Sequence, residues 1–151
     1  IGGASGALPP VIGWAIATNS ISLESIAFFL IIFFWTPSHF WALSLYKADD
    51  YKKAGIPMLP VTNGIQDTKK NIFIYSLLMI PTIIFPYYIG FVGEIFLSLS
   101  LILTFYYNLI CFQLYNYKLG KFNIKKAKHV FSYSIFYLFL IFVFFLIDKI
   151  L

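Results

Sequence analysis

No arginine occurs in these 151 residues, cysteine occurs once, and only 11% of the residues are charged. Each scarcity excludes something. Soluble domains carry roughly 25% charged residues, and a chain of this length that is 60% hydrophobic and 21% aromatic could not hide its apolar surface, since small domains bury only about 70% of what they expose when unfolded. With a mean hydropathy of +0.84, the chain reads as an integral membrane protein whose partner is the lipid bilayer. The lone Cys111 lies in an apolar run, which rules out an intrachain disulfide or a cysteine metal site and leaves it as a small hydrophobe. Neither internal repeats nor a Gly/Ser-rich linker divide the chain, so one helical bundle is the economical reading.

The net charge of +5 comes from lysine alone. Those lysines form no basic stripe. Lys47, Lys52, Lys53, Lys69 and Lys70 fall in one connection, and Lys118, Lys121, Lys125, Lys126 and Lys128 in another, a distribution that fits the positive-inside rule and not a nucleic-acid surface. No nucleic-acid partner is expected.

Five hydrophobic segments stand out: Ala4 to Ala17, Ser22 to Tyr46, Asn71 to Phe91, Ile95 to Tyr115 and Val130 to Ile147. The last four approach or exceed the ~20 residues a helix needs to cross a hydrocarbon core of ~30 Å. The first is short and is interrupted by Pro9-Pro10. The pattern predicts an all-α membrane protein, a multi-helix transmembrane bundle with about five spans, both lysine-rich connections on the cytoplasmic side and Lys149 at the outer face.

The chemistry-bearing stretch is Trp35-Thr-Pro-Ser-His-Phe-Trp41 running into Asp49-Asp50-Tyr51. A histidine near the end of an apolar helix marks function by default, because it must face protein or a polar cavity. If the second segment stays helical beyond Tyr46, Trp35, His39, Tyr46 and Asp49 or Asp50 line one wall. Pro37 would free the carbonyl four residues earlier. Asp49 and Asp50, with Lys47, Lys52 and Lys53, suit a hard cation and the phosphates that it bridges. The alternatives are a solvated interfacial loop of mixed charge and a histidine bonded to a backbone carbonyl. A transporter, a channel subunit or a structural subunit of a respiratory complex remains a competing reading. Against an ion pathway, the last three segments contain no acidic or basic residue within their apolar stretches.

Four blocks, in order, resemble those of the protohaem IX farnesyltransferase family, a branch of the UbiA-type intramembrane prenyltransferases. They are Gly2-Gly-Ala-Ser-Gly-Ala-Leu-Pro-Pro-Val-Ile-Gly-Trp14, Trp35 through Leu43, Asp50-Tyr-Lys-Lys-Ala-Gly-Ile-Pro-Met-Leu-Pro60 and Phe131-Ser-Tyr-Ser-Ile-Phe-Tyr-Leu138. The resemblance implies that residues 1–151 are the C-terminal half of a single domain of about nine helices, starting within an element at Ile1 and inactive alone. It further implies a bacterial inner-membrane enzyme that joins the farnesyl group of farnesyl diphosphate to a vinyl group of haem B, with Mg²⁺ as cofactor and haem A synthase as a partner. On that basis the expected catalytic residues are Asp50, Tyr51 and His39. Substrate binding falls to Trp35, His39, Tyr46, Lys47, Lys52 and Lys53, and metal binding to Asp49 and Asp50. One position departs from the superfamily: Ala54 stands where a second aspartate is usual, four residues after Asp50.

Overall fold

The computed structural model describes residues 2–117 and 124–150, and every described element is helical. The order is α1 (Gly2–Ala7), α2 (Pro9–Thr18), α3 (Leu23–Tyr46), α4 (Ala48–Lys53), α5 (Leu59–Thr62), α6 (Ile65–Tyr88), α7 (Glu94–Tyr115) and α8 (Ile124–Ile150). Four of these, α3, α6, α7 and α8, are long and apolar enough to span a bilayer. The expected bundle and its last four spans are therefore present. The first hydrophobic segment is helical too, but it is split at Leu8, where Pro9 and Pro10 withhold two backbone donors and begin a new helix in the first-turn positions that proline tolerates.

The four long helices form a ring in which α3 packs on α6, α6 on α7, α7 on α8, and α8 closes back on α3, while α1 and α2 lie against α3. Consecutive members run antiparallel. Hydrogen bonds and ring contacts tie both ends. At one, Lys69 Nζ of α6 donates to the Tyr117 carbonyl just past α7 at 3.2 Å, and Lys128 Nζ of α8 sits 5.6 Å from the Tyr46 ring centre on α3. At the other, the Asp148 carboxylate accepts from the Gly93 and Phe96 amides at 2.7 and 3.2 Å, supplying the negative charge that a helix N-terminus favours. Lys149 Nζ beside it donates to the Phe91 carbonyl. Lys118 and Lys121 lie outside the described residues.

Turn chemistry sets the reversal before α7. Gly90, at φ +71°, closes α6 in a Schellman motif, with the Phe91 amide on the Pro86 carbonyl and the Gly90 amide on the Tyr87 carbonyl, each at 3.0 Å.

Large rings face outward, and small hydroxylated side chains are buried among an apolar core that includes Ile31, Met79, Phe96 and Ile141. Phe105 and Phe139 point outward at 68% and 66% exposure, whereas Ser38, Ser76, Ser100 and Ser134 are fully buried. That distribution suits lipid as the outer solvent, with small and hydroxylated residues permitting close helix approach and bonding across the interfaces. Across the interior, Tyr137 OH and Thr104 Oγ1 lie 2.9 Å apart. Ser76 Oγ donates to Asn108 Oδ1 at 3.0 Å, and Tyr107 stacks on Tyr137 with ring centres 5.2 Å apart. Cys111 is buried, as a small hydrophobe would be.

Candidate active-site wall on α3 and α8

Helix α3 runs unbroken through Pro37. Proline cannot donate to the Phe33 carbonyl, and nearby side chains occupy the neighbouring ones: Thr36 Oγ1 donates to the Ile32 carbonyl at 2.7 Å and Ser38 Oγ to the Trp35 carbonyl at 3.0 Å.

One helical turn apart on α3, Trp35 and His39 stack with ring centres 4.3 Å apart. Phe131 of α8 stacks on His39 at 4.7 Å and meets Tyr46 edge-on at 5.8 Å. Ser134, one turn further along α8, binds both α3 side chains: Trp35 Nε1 donates to its carbonyl at 2.9 Å, and His39 Nδ1 lies 2.7 Å from its hydroxyl. The histidine is thus held by a serine hydroxyl and not by the backbone carbonyl that the alternative reading required. Trp35, His39, Phe131 and Tyr46 make a continuous aromatic wall that rises toward the lysine-rich end, where Lys128 stands over Tyr46.

Asp49 and Asp50 do not extend this wall along α3. The helix ends at Tyr46, Lys47 caps it, and the two aspartates occupy the first turn of the separate helix α4. Both are exposed. Lys47 Nζ bonds Asp50 Oδ2 at 2.9 Å, and this hydrogen bond holds the Asp50 carboxyl below its ordinary range while raising the Lys47 ammonium. Tyr51 is half-buried, whereas Lys52 and Lys53 are exposed. Among the described residues no three metal-ligating side chains cluster.

The stretch after α4 folds back on the bundle. Gly55, at φ +68°, closes α4 with its amide on the Lys52 carbonyl at 3.2 Å and the Ile56 amide on Tyr51 at 3.0 Å, the pairing of a Schellman motif. The chain then reaches α5, which packs on α3 and α6 with Pro60 buried. The presumed loop between the second and third spans is accordingly two short helices, with Lys69 and Lys70 already inside α6.

Met58 lines a groove of about 470 Å³ with Gly2, Gly3, Thr36, Pro37, Phe40 and Trp41. The other three motif blocks therefore converge on residues 35–41 of the second: the first and third from the groove side, the fourth through Phe131 and Ser134. Nothing in the sequence marks Ser134 or Phe131 individually. They sit 95 and 92 residues from His39, and their only signal was membership of the fourth block.

Comparison with known proteins adds the following. The profile of the UbiA prenyltransferase family matches residues 1–140. A relative from Pelagibacter ubique named protoheme IX farnesyltransferase is 74% identical over 151 residues, covering 100% of this chain and 50% of its own length. Relatives of the same name from Parvibaculum lavamentivorans and Azorhizobium caulinodans are 46% and 48% identical, over 100% and 94% of this chain and 48% and 46% of theirs. The chain spans about half the length of these curated relatives. No solved structure matches it.

Proposed function

The chain belongs to the UbiA prenyltransferase family, and from that membership we propose that it works as part of a protohaem IX farnesyltransferase making haem O from haem B. The observation that carries the reading is the convergence of three separated sequence blocks on residues 35–41 of a fourth. Packing alone does not require it, and relatives bearing that enzyme's name align over the whole chain.

In the proposed reaction the bond between farnesyl C1 and the diphosphate oxygen breaks, and the electron pair leaves with diphosphate. The vinyl group of haem B attacks C1, water adds to the other vinyl carbon, and one proton is released. Wall residues Trp35, His39 and Tyr46 would orient the porphyrin and restrict water, so that charge stabilisation supplies most of the rate. Lys47, Lys52 and Lys53 at the rim would neutralise the departing diphosphate, with Tyr51 beside them.

Mg²⁺ is commonly held by one or two carboxylates together with substrate phosphates and water. Asp49 and Asp50, adjacent and exposed on α4, fit that partial role and would hold the metal with the substrate, not without it. Bound there, the ion would offset diphosphate charge. The same reading puts the lysine-rich end at the cytoplasmic face of a bacterial inner membrane.

The test uses proteoliposomes of the natively expressed protein with haem B, Mg²⁺ and labelled farnesyl diphosphate. Labelled haem O is expected, and His39→Ala should abolish its formation per molecule of folded protein. Label on a different acceptor, or full haem O formation by folded His39→Ala, would overturn the assignment.

A further inference from the structure

Ser134 Oγ lies 2.6 Å from the Phe131 carbonyl oxygen one turn earlier on α8 and 2.7 Å from His39 Nδ1. A hydroxyl has one proton to give. Two oxygens 2.6 Å apart, one of them a carbonyl that cannot donate, repel each other unless that proton lies between them, so the hydroxyl proton is committed to Phe131. The contact with His39 then requires its proton to sit on Nδ1. In neutral imidazole only one nitrogen is protonated, so Nε2 carries the lone pair.

Rotation of the ring out of this arrangement is opposed by Trp35 stacked on it at 4.3 Å and Phe131 at 4.7 Å. Trp35 is itself fixed by donating to the Ser134 carbonyl at 2.9 Å. Among the described residues, no hydrogen-bond partner reaches His39 Nε2. We propose that Ser134 is a positioning residue that holds His39 in the Nδ1–H tautomer and leaves Nε2 as a lone-pair donor. The imidazole then acts as a ligand to a Lewis-acidic centre or as an acceptor of a proton, and not as a hydrogen-bond donor to substrate. That the centre is the iron of a bound haem rests on the function proposed above; the tautomer does not.

Solid-state ¹⁵N NMR of histidine-labelled protein in bilayers reads the tautomer directly, at about pH 8, where an ordinary imidazole is neutral. His129→Gln, an exposed position on α8, removes the other histidine signal. His39 should show a protonated Nδ1 and an unprotonated Nε2. Ser134→Ala should lose that bias and give mixed tautomers, and Ser134→Thr, which keeps a hydroxyl, should restore it. A wild-type ring protonated on Nε2 overturns the inference, and so does a tautomer unchanged by Ser134→Ala in folded protein. Haem B is then added and its visible spectrum followed. A His39-dependent shift that weakens in Ser134→Ala supports ligation through Nε2. A spectrum indifferent to His39, with the tautomer as stated, refutes the haem reading and leaves the Ser134–His39 assignment intact.

Discussion

The Tyr107 hydroxyl donates to Ser38 Oγ at 2.8 Å, joining α7 to α3 across the interior of the bundle. Ser38 Oγ has already given its own proton to the Trp35 carbonyl, so it meets Tyr107 as an acceptor only. Both residues are fully buried, and Ser38 is the residue next to His39 on α3.

Tyr107→Phe should therefore cost about 0.6–2 kcal/mol, the range for interhelical hydrogen bonds in membranes. Adding Ser38→Ala should cost less than the two single changes summed, because each removes the same bond. Reversible unfolding in bicelles measures the cycle. Strict additivity would show that the two hydroxyls are not coupled.

Lys47→Gln concerns an ion pair in which both partners are exposed. Asp50 is depressed below its ordinary 3.8, so its contribution is present above that value and is lost as pH falls through the folded pKa. Lys47 is raised above 10.5, so its contribution is present below that value and is lost as pH rises past it. Between about pH 5 and 9 the pair is fully charged, and the substitution should leave the melting temperature unchanged, since exposed pairs are weak. Under the proposed function, farnesyl diphosphate affinity should fall in Asp50→Asn across this whole range. Unaltered affinity in that variant would remove Asp50 from the site.

Gly55 tests the turn that closes α4. An L side chain at φ +68° costs about 1–2 kcal/mol, although a Cβ there meets no neighbour within 4 Å. Gly55→Val should destabilise by roughly that amount, and Gly55→Asn by less, since asparagine tolerates the left-handed region. Equal losses for both would show that the left-handed backbone conformation does not set the cost.

The lysine-rich end can be mapped by labelling. Single cysteines at Lys53 and Lys125 should react with an impermeant thiol reagent from the same face of the membrane, because α3 and α8 run antiparallel and Lys128 reaches Tyr46. Native Cys111 is buried, so little background is expected. Labelling from opposite faces would contradict the ring of antiparallel helices.

The spans were legible because hydropathy over ~20 residues is a strong, local signal. His39 was legible because a histidine in such a run is costly. Less was visible where the determinant is a cap or a distant partner. The break at Lys47 moved Asp49 and Asp50 off the α3 stripe, which periodicity alone could not foresee. Ser38, Ser76, Thr104 and Ser134 look alike in the sequence, and only helix rotation and packing decide which hydroxyls turn inward. The lysine pattern, in contrast, anticipated correctly that Lys69 and Lys128 stand at one end of the bundle.

The outward-facing rings of the bundle bear on its calorimetry. Soluble domains unfold with a heat-capacity increment of about 12–15 cal/mol/K per residue because water newly wets apolar surface. Here Phe105 and Phe139 already face outward in the folded protein, and when the four long helices part within a bilayer the buried side chains, apolar ones such as Ile31, Phe96 and Ile141 as well as hydroxyls, a carboxamide and tyrosine rings, meet lipid and not water. Helix separation within a bilayer should then give a per-residue increment far below the soluble value, a stability that declines almost linearly on warming, and no loss of structure on cooling.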